Sequence, residues 1–377
     1  MGITTSELKQ LNCDMVYRMI YENNGITKQM IAKELRFSLP TISQNLGYLL
    51  EQDKIHCSSH RAATGGRPAQ LYKFNYNSRI TISVELLANM LNVAAVNLAG
   101  EIVAESSLDL VFTNDPLYFE TFSSWVNHFI DSLSCRPEQI LGITIAIQGV
   151  VDADQEHISF GTLLSSSTFV RTDFAQHFQY PVSLIHDAEA AGIAESWHSA
   201  PDMNAIYLSL NANLGCAVIV NGQIMRSRHL SSGVMEHLTL YPNGIPCYCG
   251  KCGCAESYCS ANTLIRKSGL SLPLFFQKVR DKNIKYLPIW QRYLQDLALM
   301  IDDVRMVIGG DVIIGGLLTP YLTDEDLDSI KDSVYSLTTF KNADFTISKG
   351  KYGKKATLIG TALTRITDYL KEERLVD

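Results

Sequence analysis

Five cysteines, Cys247, Cys249, Cys252, Cys254 and Cys259, crowd into thirteen residues, while the other four of the nine are scattered. Thiolates at such spacing suit zinc, which takes four soft or borderline ligands in a tetrahedron, and the intervening glycines let the chain turn around an ion. His237 opens the stretch and Glu256 lies inside it; five thiols compete for four places. The competing reading is a disulfide pair somewhere among the five cysteines from Cys247 to Cys259, which the missing export signal argues against. With no open coordination position evident, Zn2+ is expected to be structural and to hold the loop that carries His237 and Glu256. Cys13, Cys57, Cys135 and Cys216 stand alone and read as small hydrophobes.

A second set of residues suits nucleic acid. Thr41, Ser43, Gln44, Asn45 and Tyr48 are left outward if Ile42, Leu46, Leu49 and Leu50 form the buried face of a helix beginning near Pro40. Such side chains reach phosphates and base edges in a major groove. Two more helices must position this one. Leu8, Leu11, Met15, Met19 and Ile20 recur at helical spacing up to a turn at Asn23-Asn24-Gly25. Thr27 then caps a second helix with Met30, Ile31 and Leu35 inward, closed by a turn at Arg36-Phe37-Ser38. Residues 55 to 74 read as a β-hairpin whose tip, 60 to 68, carries Arg61, Gly66 and Arg67 and no acid, chemistry suited to a phosphate backbone or a minor groove. Helix spacing, turn and tip agree on a winged helix-turn-helix over residues 1–78 that binds double-stranded DNA. The alternatives are a helical protein-interaction module or, for Ser43, Gln44 and Asn45, a merely solvated face.

The charge supports this division. The formal net charge is −7, yet residues 1–79 hold ten Lys and Arg against six Asp and Glu, a surplus of +4, leaving −11 for the remainder. A +4 reader binds non-specifically only weakly and in a salt-sensitive way, and two-fold pairing doubles its contacts, so a homodimer or tetramer is expected. The length of 377 residues, 46% hydrophobic and 19% charged content, and ordinary Gly and Pro numbers exclude a staple-dependent miniprotein, a collagen-like chain and a coiled-coil rod. No run of 18 apolar residues and no signal-peptide pattern occur, so a cytoplasmic protein without membrane contact is expected.

The rest reads as an α/β body. Strand patterns occur at 79–84, 91–97, 102–104, 140–147, 182–185, 205–210 and 217–220, with helical stretches at 118–133 and 188–197 and a last helix from Lys355 to about Leu370.

Gly65-Gly66-Arg67-Pro68 in the wing, and His237 followed by Cys247-x-Cys249-Gly250-x-x-Gly253-Cys254-x-Glu256, carry a resemblance over nearly the whole chain to the ROK family, which comprises sugar-responsive bacterial repressors and sugar kinases. The resemblance implies a two-lobed actin-like (ribonuclease H-like) body behind the winged head. Lobe one would be 79–195 completed by 355–377, and lobe two 196–354 with the zinc motif and a dimerisation surface. It also implies zinc ligation by His237, Cys247, Cys249 and Cys254, with Cys252 and Cys259 as extras.

The departures bear on activity. The family's Asp-x-Gly-x-Thr phosphate loop corresponds to Glu85-Leu86-Leu87-Ala88-Asn89, a second phosphate loop to 211–216 with one glycine, and an adenosine contact to Gly315-Gly316, also readable as a simple turn. ATP binding and phosphoryl transfer are therefore expected to be lost. At the sugar pocket Asn-Asp-Ala-Asn becomes His186-Asp187-Ala188-Glu189, and Gly-Glu-x-Gly-His becomes Gly233-Val234-Met235-Glu236-His237. Asp187, His237 and Glu256 are retained for sugar hydroxyls, His186 and Glu236 are altered neighbours, and Asp187 equally suits a helix N-cap. An unmade buried polar contact costs ~1–3 kcal/mol, so sugar specificity should shift by more than about tenfold. The expected function is a DNA-binding repressor of carbohydrate uptake or metabolism genes, with the degenerate kinase body as effector and dimerisation module. The alternatives are an ATP-dependent sugar kinase with an added DNA-binding module, or a regulator that answers to a protein partner or to thiol oxidation at Cys252 and Cys259.

Overall fold

The computed structural model describes residues 4–23, 25–60, 69–151, 157–161, 169–226, 233–341 and 344–376. The head begins with the helix Thr5–Tyr21, started by a capping box in which the Thr4 amide donates to Glu7 Oε2 at 2.7 Å and the Glu7 amide to Thr4 Oγ1. Thr27 caps the helix Lys28–Leu35, which ends with Arg36 in a left-handed conformation (φ 56°). Ser38 then caps Leu39–Glu51, with Pro40 in its first turn. The strands Ile55–His60 and Ala69–Phe74 pair antiparallel, and a short strand unforeseen from the sequence, Ile26–Thr27, joins the hairpin through Ile26 and Tyr72.

Three assignments of inward faces are corrected. Leu8, Leu11 and Met15 are exposed, and Cys13, Val16, Tyr17 and Ile20 are the buried face of the first helix. Met30 is exposed beside buried Ile31, and Leu50 is exposed beside buried Leu49. Each error has one cause: apolar residues wrap more than half of the helix surface, and only the tertiary neighbour decides which stripe it covers.

The body contains two five-stranded sheets. In the first the order is Val182–His186, Ile140–Ile147, Ile80–Leu86, Met90–Asn97, Ile102–Asp109, with the first three parallel and the last two added as antiparallel hairpins. The helix Pro116–Asp131 buries Phe119, Phe122, Val126 and Phe129 against one face of it. In the second the order is Gln223–Ile224, Leu214–Val220, Ala205–Leu210, Asp311–Gly315, Ile347–Lys349. The helices Ala261–Ser268, Leu272–Arg280, Leu287–Ile308 and Asp324–Leu337 cover its outer side around Phe275, Trp290 and Tyr293.

Between the sheets lie the helices Asp187–Ser196 and Ala356–Glu372, which form one of the most extensive helix contacts of the chain; Asp187–Ser196 touches strands of both sheets. Ala356–Glu372 also carries the head. Tyr17, Ile20 and Phe74 share one apolar core with Leu363, Ile366, Tyr369 and Leu370. At its rim Lys54 Nζ pairs with Glu373, Arg374 Nη1 with Asp14 at 3.1 Å, and the Arg79 guanidinium lies over the Tyr369 ring. Head and body are thus joined through a shared hydrophobic seam.

Candidate metal centre, effector pocket and nucleic-acid interface

The cysteine loop is built by close backbone approach. Gly253 has φ 83°, and any Cβ there would overlap the Tyr241 carbonyl; Leu240 N donates to Gly253 O at 2.8 Å, and Gly253 N to Ile245 O at 2.8 Å. Bridges between Thr239 and Cys254 and between Pro246 and Cys252 close the turn. The loop is anchored to the outer helices: Tyr241 donates its hydroxyl to the fully buried Asp296 at 2.8 Å, and Arg292 Nε reaches the same carboxylate at 2.9 Å.

One donor atom from each of His237, Cys247, Cys249 and Cys254 lies within 4.8 Å of the other three. Cys249 Sγ is 3.6 Å from Cys254 Sγ, and Cys247 Sγ is 3.6 Å from His237 Nδ1. Ligands 2.0–2.3 Å from zinc in a tetrahedron stand ~3.5–3.8 Å apart, so these separations fit the ion. Burial, then the Lys251 charge, holds the His237 imidazole below its usual range, favouring the neutral form a ligand needs. Of the two remaining thiols, Cys252 is exposed and Cys259 is packed in the apolar core of the second lobe; neither joins the four.

Beside this loop, at the start of the helix Asp187–Ser196, stand the residues read as effector contacts. Asp187 is the first helical residue rather than the cap, a position taken by His186, but its Oδ1 accepts from the Ala188 amide at 2.8 Å and lies 3.3 Å from His186 Nε2. Glu256 opens a short helix and its Oε2 accepts from the Leu214 amide at 2.6 Å. Glu236 is buried with its Oε2 lacking a hydrogen-bond partner among the described residues. Burial raises all three carboxyls, Glu236 to about 8 and Glu256 to about 7, and Asp187 and Glu256 push Glu236 further. Next to His186 alone of these residues, a space of about 30 Å³ is bordered by Cys216, Gly233 and Val234, and Arg226 pairs with Glu189 at its edge. The structure therefore brings His186, Asp187, Glu236, His237 and Glu256 to one region. The Arg226 to Glu189 pair was not legible beforehand, because the partners are thirty-seven residues apart.

On the recognition helix, Ser43 and Gln44 are exposed, with the Ser43 hydroxyl turned back to the Leu39 carbonyl at 2.7 Å. Thr41 Oγ1 lies 2.8 Å from Ser38 Oγ and belongs to the N-cap, and Asn45 is partly buried. Gln44 is the long polar side chain that the fold leaves free to reach outward. Arg61, Gly66 and Arg67 lie outside the described residues.

The stretches matched to phosphate and adenosine contacts also meet. Glu85, Ala88, Asn211 and Gly316 line one cavity of about 360 Å³ between the lobes. Glu85 is buried there and accepts from Asn92 Nδ2 at 2.8 Å.

Among the described residues no helix is long and apolar enough to cross a membrane. A xylose repressor of Bacillus subtilis is 23% identical over 261 residues, covering 69% of this chain and 68% of its own length. The DNA-binding transcriptional dual regulator NagC of Escherichia coli is 24% identical over 268 residues, 70% of this chain and 66% of its own. Among solved structures, a ROK family transcriptional regulator described as a homolog of the E. coli MLC protein superposes with a TM-score of 0.74 at 20% identity, covering 98% of each chain. A ROK family glucokinase from Streptomyces griseus, solved with glucose and AMPPNP, superposes with a TM-score of 0.67 at 18% identity over 76% of this chain and 98% of its own. Residues 81–367 match the ROK family itself, and the chain belongs to that family.

Proposed function

We propose that the protein is a sugar-responsive, DNA-binding transcriptional repressor of genes for carbohydrate uptake or metabolism. The observation that carries this reading is the winged head, seated through a continuous apolar core on a ROK body. Relatives named as xylose and N-acetylglucosamine repressors support it. In this reading residues 1–78 form the reader. Gln44 and Ser43 face the major groove, Thr41 and Asn45 lie beside them on the same helix within reach of the DNA, and Arg61, Gly66 and Arg67 meet the backbone or minor groove. Pairing into a homodimer or higher assembly supplies the second half-site.

His186, Asp187, Glu236, His237 and Glu256 receive a sugar or sugar derivative. An effector acts here by binding one arrangement of the lobes better than another, since that difference in affinity is what shifts a population. His237, Cys247, Cys249 and Cys254 hold a structural zinc ion. Bound there, zinc cross-links the loop and so fixes His237 and Glu256 against the pocket.

Phosphoryl transfer is not part of this function. Leu87 and Ala88 place side chains where backbone would have to approach phosphate. A gel-shift titration at physiological salt against the chain's own upstream DNA tests the reading. Affinity lost on combining Gln44→Ala with Arg67→Ala, and altered by a sugar, supports it; full affinity in the double variant refutes it. Release of ADP from ATP over a sugar panel would refute the non-enzymatic part.

A further inference from the structure

The first helix, Thr5–Tyr21, is apolar on two opposite sides, and the chain covers one of them. Cys13, Val16, Tyr17 and Ile20 are buried in the core that joins the head to the body. Leu8, Leu11 and Met15 remain 49%, 40% and 38% exposed. Their spacing of three and then four residues makes one continuous stripe, the pattern of a seam between two helices. A single exposed apolar residue needs no explanation, but three in register on one helix do. The far side of the same helix is tied to the body, where Asp14 pairs with Arg374, so the stripe is turned away from that contact.

The charges along the stripe decide what fits against it. Glu7 and Arg18 stand three helical turns apart, so they lie on the same edge of the stripe, ~16 Å from each other. Glu7 accepts from the Thr4 amide at the helix start, and Arg18 pairs with Glu22 one turn on. A second copy of this helix, laid antiparallel and stripe on stripe about a two-fold axis between Leu11 and Met15, sets Glu7 of each copy beside Arg18 of the other. The two helix dipoles then also oppose each other favourably. A parallel pairing loses both effects. Three apolar side chains from each copy bury far less than the ~1,200 Å² of a stable interface, so this contact acts where DNA or the bodies already bring two heads together.

We propose that Thr5–Tyr21 is a head-to-head contact: its stripe of Leu8, Leu11 and Met15 packs antiparallel on the same stripe of a second copy, with Glu7 and Arg18 paired across both ends. The inference rests on the paired reading of DNA given above and deepens it by naming the surface that sets the spacing of the two recognition helices. The buried side of the same helix shares its core with Tyr369 and Leu370 of Ala356–Glu372, so a shift of that body helix changes how two heads meet while each reader stays intact.

Photo-cross-linking of the full chain with p-benzoylphenylalanine in place of Leu8 or of Leu11, free and on the chain's own upstream DNA, tests it, and sedimentation of the same samples counts the copies. The Leu11 probe should give a covalent dimer attached within residues 7–19 of the second copy. The Leu8 probe should mark residues 15–19 of that copy, as antiparallel packing requires, and not 5–9. Arg18→Glu should cut the dimer yield from the Leu11 probe severalfold, and Glu7→Arg in the same chain should recover it, with cooperative urea unfolding throughout. The proposal is overturned if the chain sediments as pairs yet the Leu11 probe attaches outside the first helix of the second copy or to its own chain. It is also overturned if the Leu8 probe marks 5–9, or if the double charge reversal yields no more dimer than Arg18→Glu. Chains that sediment singly, both free and on DNA, overturn it together with the paired reading.

Discussion

Gly360 lies flush against the carbonyl of Ala190, so close that a Cβ at position 360 would overlap that oxygen. This is the crossing of the two helices between the sheets. One starts at Asp187 in the effector region, and the other ends in the seam that carries the head. Without a side chain at 360 the helices meet backbone to backbone, and a shift of one helix is felt directly by the other.

Gly360→Ala forces that crossing apart. Overpacking of this kind costs ~1–3 kcal/mol, beyond the helix propensity that alanine would otherwise add. Urea unfolding should show a lower midpoint; a wild-type or raised midpoint would mean the helices are not in this contact.

The head is held by partly buried charge as well as by the apolar seam. The side chains of Lys54 and Glu373 are 16% and 25% exposed, and Lys54 also lies over the Tyr17 ring at 5.2 Å. A double-mutant cycle with Lys54→Ala and Glu373→Ala should give a coupling of ~0.5–1 kcal/mol that shrinks in high salt. No coupling would detach this pair from the seating of the head.

Metal analysis of the purified chain should find one zinc per chain. Cys254→Ser or Cys247→Ser should lose it and lower the melting temperature, as should a chelator acting on the unaltered chain. Cys252→Ser should keep both, because the exposed Cys252 stands outside the four-residue group.

Glu85 makes stability depend on pH. Its folded pKa is about 7 against a starting value of 4.5, so between those values the folded chain binds the extra proton and stability falls as pH rises. The contribution is fully present below about 4.5 and lost once pH has passed about 7. Glu85→Gln removes the penalty, and the stability difference between variant and native chain should grow by up to ~3 kcal/mol from pH 5 to pH 8. A difference that stays flat would show that the carboxyl is solvated.

On the recognition helix two neighbouring changes should separate. Gln44→Ala should weaken specific operator binding by ~1–3 kcal/mol with little change in stability. Ser38→Ala removes the cap that accepts from the Thr41 amide at 3.3 Å and should cost ~1 kcal/mol of stability first. Equal operator affinity for Gln44→Ala would place the reading surface elsewhere.

The parts legible in the sequence are those whose signal is local. The Thr27 cap, the Pro40 helix start, most of the strands and the metal-binding character of the cysteine cluster follow from residue types at short spacing, since the physics that selects them acts over one turn or one loop, while the choice of four donors came from the family motif. Even His237, ten residues from Cys247, belongs to one motif.

Tertiary structure decided the rest. Residue spacing alone left Cys259 a candidate beside its four neighbours; the family motif sets it aside, and packing against the second-lobe helices supplies the physical reason. The inward stripe of the first helix was misread at Leu8, Leu11 and Met15, because the partner that buries Val16 and Ile20 includes a helix more than three hundred residues away. The resemblance grouped Glu85, Asn211 and Gly316, but the cavity they share forms only when the lobes close around them, and Lys54 has no visible partner until Glu373 folds back to it. The sequence determined which side chains could bind metal, DNA or ligand; which of them share a site depended on contacts between distant segments, whose burial energy no short stretch carries by itself.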